Sequence, residues 1–433
     1  MATNPEVRVT DTIYALSSGA PPAGIGVIRI SGPSAGKALE SLGGRLPPPR
    51  RAHLTLLTDP KDHSPLDRAL VLWLPGPGTA TGEDVAELHC HGGRAVIAAI
   101  ETVLSSLDGL RRAEPGEFTR RAFENGRMDL NEVEGLSDLL AAETQQQRRA
   151  ALLMAEGHFS RRVAEWQAAL LDLSAMAEAA LDFSDEDDVP DEAIETRIVD
   201  GLLKLGGEVR AALNAPRAER LRDGVRVVLA GPPNAGKSTL LNALVGREAA
   251  IVSDIAGTTR DRIEVPASLG GTAFLFTDTA GLREQTDDAI EAIGMDRARA
   301  ALEAADIILW LGDPAMLPRP DAHLIAAQCD RKDGCAGMAV SAVTGEGMEE
   351  LAALLIDHAA TLLPKEQDYA LHDRQREAVS TLLTHIDAAA RNTDLLIIAE
   401  ELRRARAAID RLTGRASTED MLDRLFSGFC IGK

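Results

Sequence analysis

The chain has 433 residues, of which 45% are hydrophobic and 26% charged, with a formal net charge of −21. These are the proportions of globular chains with room for two to four cores. No apolar run is long enough to cross a bilayer, and the acidity excludes a general grip on bare phosphate backbone except through a local basic patch or another subunit.

The opening stretch, MATNPEVRVTDTIYAL, has no basic head followed by an apolar segment, so the expectation is a cytoplasmic, non-secreted protein. Cys90, Cys329, Cys335 and Cys430 show no framework spacing, as in reduced cytosolic thiols. From 1 to 120, short apolar strands such as GIGVIRISG and RALVLWLPG alternate with Gly/Pro clusters, which predicts an α+β N-terminal domain. His89 and His91 share one strand face with no third ligand evident, which favours a core or pocket-lining role over a metal.

From 121 to 222 the apolar residues recur at three- and four-residue steps, predicting amphipathic helices with an acidic loop at FSDEDDVPDE. At Val225 the texture changes again. VRVVLA, TAFLFTD, ADIILWLG, HLIAAQ and GMAVSA read as strands of an α/β domain over 223–363. Helical patterns return over 364–433. The predicted architecture is therefore a discontinuous all-α domain (121–222 and 364–433) carrying an inserted α/β P-loop domain.

The strongest motif is GPPNAGKST, Gly231 to Thr239, placed between a strand and a helix. Its glycines let successive N–H groups of Asn234, Ala235, Gly236 and their neighbours turn toward phosphate oxygens. Lys237 is placed to reach the β- and γ-phosphates, and the Ser238 hydroxyl to ligate Mg²⁺. GTTRD supplies Thr258 and Thr259 for a segment closing on Mg²⁺ and the γ-phosphate. DTAG supplies Asp278, Thr279, Ala280 and Gly281. In AQCD, Asp330 is placed to accept from guanine N1 and N2, and Ser341 and Ala342 offer a backbone amide to guanine O6. Ala327 and Gln328 stand where a GTPase has Asn and Lys, which removes a bracing hydrogen bond and a lysine stem over the base. The order of elements reads as GTPase.

One further segment, FSGFCIGK, places Cys430 where a prenylation box would have its cysteine, but Gly432 and Lys433 fit that box poorly. Together with DTIYALSSGAPPAGIGVIRISGP, TGEDVAELHCHGG and EPGEFTRRAFENGRMDLNEVEGLSDLLAAET, it closely resembles the MnmE (TrmE) family, GTPases of tRNA wobble-uridine modification. The resemblance implies an N-terminal tetrahydrofolate-binding and dimerising domain, with Arg29, Glu87 and Lys433 on folate-contacting positions. Arg127 falls on the Lys of the family's N-G-K-L-D-L motif, a change of cation geometry. It implies a reactive thiol at Cys430 and a potassium ion held by Asn234, Ser253, Ile255 and Thr258. Ser238 and Thr259 would hold Mg²⁺, and Glu291 would position the attacking water, one residue further from DTAG than expected. It also implies a 5-formyl or 5,10-methylene folate, FAD carried by an MnmG-type partner, tRNA bound mainly through that partner, a homodimer through the N-terminal domain, and pairing of G domains on GTP. Two other readings are a ribosome-assembly GTPase, opposed by the lack of a basic RNA-binding domain after the G domain, and a lipid-anchored switch.

Overall fold

The computed structural model describes residues 11–182, 191–247, 264–278, 299–330, 336–365, 369–416 and 419–432. The chain divides into two compact units, Met1–Val133 with Thr413–Lys433, and Glu134–Leu412.

In the first unit the order is β1 (Thr12–Leu16), β2 (Ile25–Ser31), α1 (Ala35–Gly43), β3 (His53–Thr58), β4 (Pro65–Leu74), β5 (Val85–His91), α2 (Arg94–Ser105), β6 (Leu110–Arg112) and α3 (Glu117–Glu124). The sheet runs β3-β4-β5-β2-β1-β6, antiparallel except for the β1–β6 pair. Period-two alternation explains its two faces. Ile28, Ile30, Ala86, Leu88 and Cys90 are buried in one core with Leu39, Leu42, Ile97 and Ile100 of α1 and α2. The intervening residues Val27, Arg29, Glu87 and His89 are only part-buried and point to the opposite face. Register then aligns Ala15, Arg29, Glu87 and Leu72 across four strands.

The second unit takes up α4 (Leu130–Ala141) and holds α5 (Gln145–Ala155), α6 (His158–Asp182), α7 (Asp191–Leu213) and α8 (Ala218–Asp223). These are followed by β7 (Val225–Ala230), α9 (Lys237–Arg247), β8 (Glu264–Leu269), β9 (Thr272–Asp278), β10 (Ile307–Trp310), β11 (His323–Ala327), β12 (Met338–Val340), α10 (Met348–Leu362), α11 (Asp373–Ala390) and α12 (Leu395–Thr413). Its sheet runs β12-β11-β10-β7-β9-β8, parallel except for β8 against β9. The order turns around at β7, and the crevice at that strand's carboxyl end is where an open α/β sheet binds ligands. Between β10 and β11 there is one 3-10 turn, Pro314–Met316, and no α-helix. The helices bury Phe159, Trp166, Leu170, Leu202, Leu382 and Leu402 in a core separate from that of the sheet.

The two chain crossings between the helices and the sheet lie side by side. Ala218 N donates to Leu371 O at 3.1 Å, and Leu371 N to Pro216 O at 3.0 Å. The grouping differs from the expected boundaries at both ends of the helical part. The first unit extends past residue 120 to Val133, and residues 413–432 join it rather than the helices. The physical reason is a specific dock: α13 (Glu419–Ser427) lays Phe426 against Phe123, ring centroids 6.2 Å apart, and Ile431 bridges to Pro115. Arg120 adds ion pairs to Glu419 and Asp423.

Candidate nucleotide site and the Cys430 segment

The loop from β7 to α9 has the backbone its glycines allow. Gly231 has φ +150 and Gly236 φ +93, and a Cβ on Gly231 would meet Leu311 O at 2.9 Å. Asn234 itself sits at φ +59, a left-handed conformation that Asn adopts more readily than most residues. Lys237 is 4% exposed, and its Nζ donates to Gly231 O at 3.0 Å and Pro232 O at 2.8 Å, bridging the loop. Ser238 Oγ donates to Asp278 Oδ2 at 2.5 Å. Two residues 40 positions apart in sequence thus meet at the mouth of the loop.

Beside this loop a cavity is lined by Gly236, Thr239, Ala327, Gln328, Asp330 and Ala342. Ser341, fully buried, donates its hydroxyl to Asp330 Oδ1 at 2.8 Å and accepts from Thr344 N at 3.2 Å. That fixes the Asp330 carboxylate at the edge of the cavity. Gln328 adopts φ +64 and lies against the phosphate loop, its Nε2 3.1 Å from where a Cβ on Gly236 would stand. The amide of Gln328 therefore borders the cavity in the place expected for a lysine stem.

Asn234, Ala235, Gly236, Lys237, Ser238 and Thr239 follow β7, Asp278 ends β9, Asp330 follows β11, and Ser341 and Ala342 follow β12, all at the carboxyl ends of the parallel strands. Ser253, Ile255, Thr258, Thr259, Thr279, Ala280, Gly281 and Glu291 lie outside the described residues, so most of the expected potassium set and the expected water-positioning carboxylate do too.

In the first unit, Arg29 Nε donates to Glu87 Oε1 at 3.1 Å, and His89 Nε2 lies 3.1 Å from Glu87 Oε2. The Arg29 guanidinium stands over the Phe118 ring, 5.8 Å from its centroid. Arg127 donates from Nε to Thr79 O at 3.1 Å, with its stem against Gly82. Cys430 is exposed and its carbonyl accepts from Gly116 N at 3.4 Å. Gly432 follows at φ +94, where a Cβ would come within 2.2 Å of Leu16 O. Leu16 adjoins Ala15, the strand neighbour of Arg29, so the segment reaches the β1 end of the Arg29–Glu87 row. Lys433 lies outside the described residues. Cys90, by contrast, is inert: burial pushes its thiol up to about 11.

Sequence reasoning passed over Phe118 and Arg121. Arg121 is 2% exposed and bonded to Asp11, Glu83 and Glu117. The signal was present: Arg121 lies three residues after Phe118 and one before Ala122, on the buried side of α3. His89 is part-buried beside Glu87, in keeping with a lining role, whereas His91 pairs with Asp67 from an exposed position, so it is neither core nor lining. Among the described residues, no cluster of three or more metal-ligating side chains occurs and no helix is long and apolar enough to cross a membrane.

Family models described as "GTP-binding protein TrmE N-terminus" and "MnmE helical domain" match residues 12–127 and 130–430. The tRNA modification GTPase MnmE of Rhizorhabdus wittichii is 59% identical, covering 99% of this chain and 98% of its own. The protein of the same name from Novosphingobium aromaticivorans is 58% identical over 98% of this chain and 100% of its own, and that from Zymomonas mobilis 51% identical over 98% and 100%. Among solved structures, the G domain of the T. maritima FeoB iron transporter covers 31% of this chain and 98% of its own, at 24% identity and a TM-score of 0.24. With near-full-length identity above half, on top of the loop, the base cavity and the docked Cys430 segment, this chain belongs to the MnmE (TrmE) family of tRNA modification GTPases.

Proposed function

We propose that this chain is a cytoplasmic, potassium-assisted GTPase that works with an MnmG-type flavoprotein. Together they would install an aminomethyl-type group at C5 of the wobble uridine of certain tRNAs, with a 5-formyl or 5,10-methylene tetrahydrofolate as carbon donor. The observation that carries the GTPase half is the meeting of Ser238 and Asp278 beside the Lys237 loop. A hydroxyl and a carboxylate there suit Mg²⁺, a hard cation that takes few protein ligands and keeps its waters and phosphates. Lys237 and the loop N–H groups bind phosphate oxygens. Thr259 would complete the Mg²⁺ side, and Thr279, Ala280 and Gly281 would serve the γ-phosphate. Asn234, Ser253, Ile255 and Thr258 would hold potassium, whose charge would offset that developing between phosphates. Glu291 would orient water.

The second site would take the folate on Arg29, Glu87, Arg127 and Lys433, with the Cys430 thiol close to the transferred carbon. Support comes from the Arg29–Glu87–His89 row and from the dock of the Cys430 segment on the same unit. FAD enters with the partner. A net charge of −21 favours tRNA binding mainly through that partner. Exposed Leu54 and Leu70 stand opposite one another on β3 and β4, and Leu70 opposite His89, an apolar area suited to homodimerisation of this unit. G-domain pairing on GTP would drive the cycle. The test is nucleoside analysis of total tRNA from cells with and without the gene. The modified wobble uridine should vanish in its absence, and an unchanged nucleoside profile would end this reading.

A further inference from the structure

One side chain joins the start of α5 to the end of α8, the helix that precedes the strand carrying the phosphate loop. Gln147 is 7% exposed and uses both ends of its amide. Its Oε1 accepts from the N–H groups of Glu143 and Thr144, each at 2.8 Å, and Thr144 Oγ1 accepts from Gln147 N at 3.2 Å, closing the start of α5 as a capping box. Its Nε2 donates to Leu221 O at 2.9 Å and Arg222 O at 3.2 Å. Those are carbonyls of the last turn of α8, which a helix end leaves without intrahelical partners. One amide thus caps two helices.

What lies beyond α8 gives this a consequence. Arg220 Nε pairs with Asp306 Oδ1 at 2.8 Å, and Asp306 Oδ2 accepts from Arg226 N at 3.1 Å, tying α8 to the first residues of β7 and the approach to β10. Gln146 Nε2 reaches Pro364 O, at 3.3 Å, on the chain returning from the sheet. Next to Gln147 a cavity of ≈ 20 Å³ is lined by Ala150, Ala151, Ala218, Leu221 and Ala370, room for about one water. Asp138, Met154 and Arg222 also line it, and the joint around Gln147 is not close-packed.

We propose that Gln147 is a positioning residue coupling the nucleotide state of the phosphate loop to α5. If α8 shifts, the amide must either follow, disturbing its bonds to Glu143 and Thr144, or release Leu221 and Arg222. The two helix ends are therefore energetically linked. This rests on the nucleotide-site reading. The test is hydrogen exchange of the full chain over residues 143–155, with Mg²⁺ and KCl, comparing GDP with a non-hydrolysable GTP analogue. Gln147→Glu keeps an acceptor toward Thr144 but turns an oxygen on the α8 carbonyls, and Gln147→Met keeps length and burial with neither bond. In wild type, exchange over α5 should differ between the two nucleotides. In both variants that ratio should collapse by about 5-fold or more, the low end of ordinary coupling, while GTP turnover stays within about 2-fold, a shift of under 0.5 kcal/mol. A nucleotide response in either folded variant equal to that of wild type overturns the inference, as does a wild-type α5 indifferent to nucleotide. A wild type that hydrolyses no GTP removes the proposed activity instead, so the two failures are told apart.

Discussion

Ser238 Oγ and Asp278 Oδ2 lie 2.5 Å apart although one opens α9 and the other closes β9. The parallel pairing of β7 with β9, with Leu229 opposite Asp278, brings them together. If both serve one Mg²⁺, Ser238→Ala and Asp278→Asn should each weaken Mg²⁺-dependent nucleotide binding, by about 1.5–3 kcal/mol for a contact involving charge. The double variant should fall short of the sum, because groups on one ion are coupled. Strictly additive losses in a titration of Mg²⁺ against bound nucleotide would separate the two residues.

The Ser341–Asp330 bond makes base selection testable in two steps. Asp330→Asn should shift preference from guanine to xanthine nucleotides, since the amide can donate where the carboxylate only accepts. Ser341→Ala should weaken GTP binding without that switch, by about 1–3 kcal/mol if it frees the carboxylate from its fixed position. Competition with XTP against GTP measures both. Unaltered selectivity in Asp330→Asn would mean that the base is read elsewhere.

Potassium dependence is a separate expectation. Turnover in KCl should greatly exceed that in NaCl, and Asn234→Ala should erase the difference while leaving Mg²⁺ dependence in place. Equal rates in the two salts would remove Asn234 from any cation site.

The fold was legible where periodicity and glycine chemistry carry it. The strand–loop–helix context placed Lys237 and Ser238. Arg29 and Glu87 entered only through the family resemblance, and it is the register of β2 against β5 that sets them side by side. What local pattern could not give was long-range docking. Nothing near Cys430 tells that Ile431 bridges to Pro115, far away in the chain, rather than continuing the helical part. Gln147 was equally silent, because a polar residue near a helix start reads as solvated until its partners at 221 and 222 are known.

Acid stability should report on the Arg121 cluster. Burial alone would raise the Glu117 carboxyl, but Arg111 and Arg121 outweigh it and hold it below its ordinary 4.5. A depressed carboxyl contributes stability that is present above its unfolded value and lost as pH falls through its folded value. Glu117→Gln should therefore destabilise the first unit by about 1–3 kcal/mol near neutrality, with the gap to wild type closing below pH 4.5. Chemical denaturation across that range is the measurement, and a gap that does not change with pH would assign the loss to packing.

The Cys430 segment offers the sharpest division of labour, because its dock and the phosphate loop belong to different units. Gly432 sits at φ +94 with no room for a Cβ against Leu16 O. Gly432→Ala should lift the segment, and alkylation of Cys430 should change in rate because its carbonyl bond to Gly116 N would loosen. If the thiol serves the carbon transfer, Gly432→Ala and Cys430→Ser should both depress tRNA modification while GTP turnover stays near wild type. Folate titration separates them further: displacement of the segment should weaken binding, whereas loss of one sulfur should not. Lys237→Ala should do the reverse, abolishing nucleotide binding and sparing folate affinity. A Cys430→Ser protein that modifies tRNA at the normal rate would leave the thiol an ordinary exposed side chain on a segment whose task is to dock.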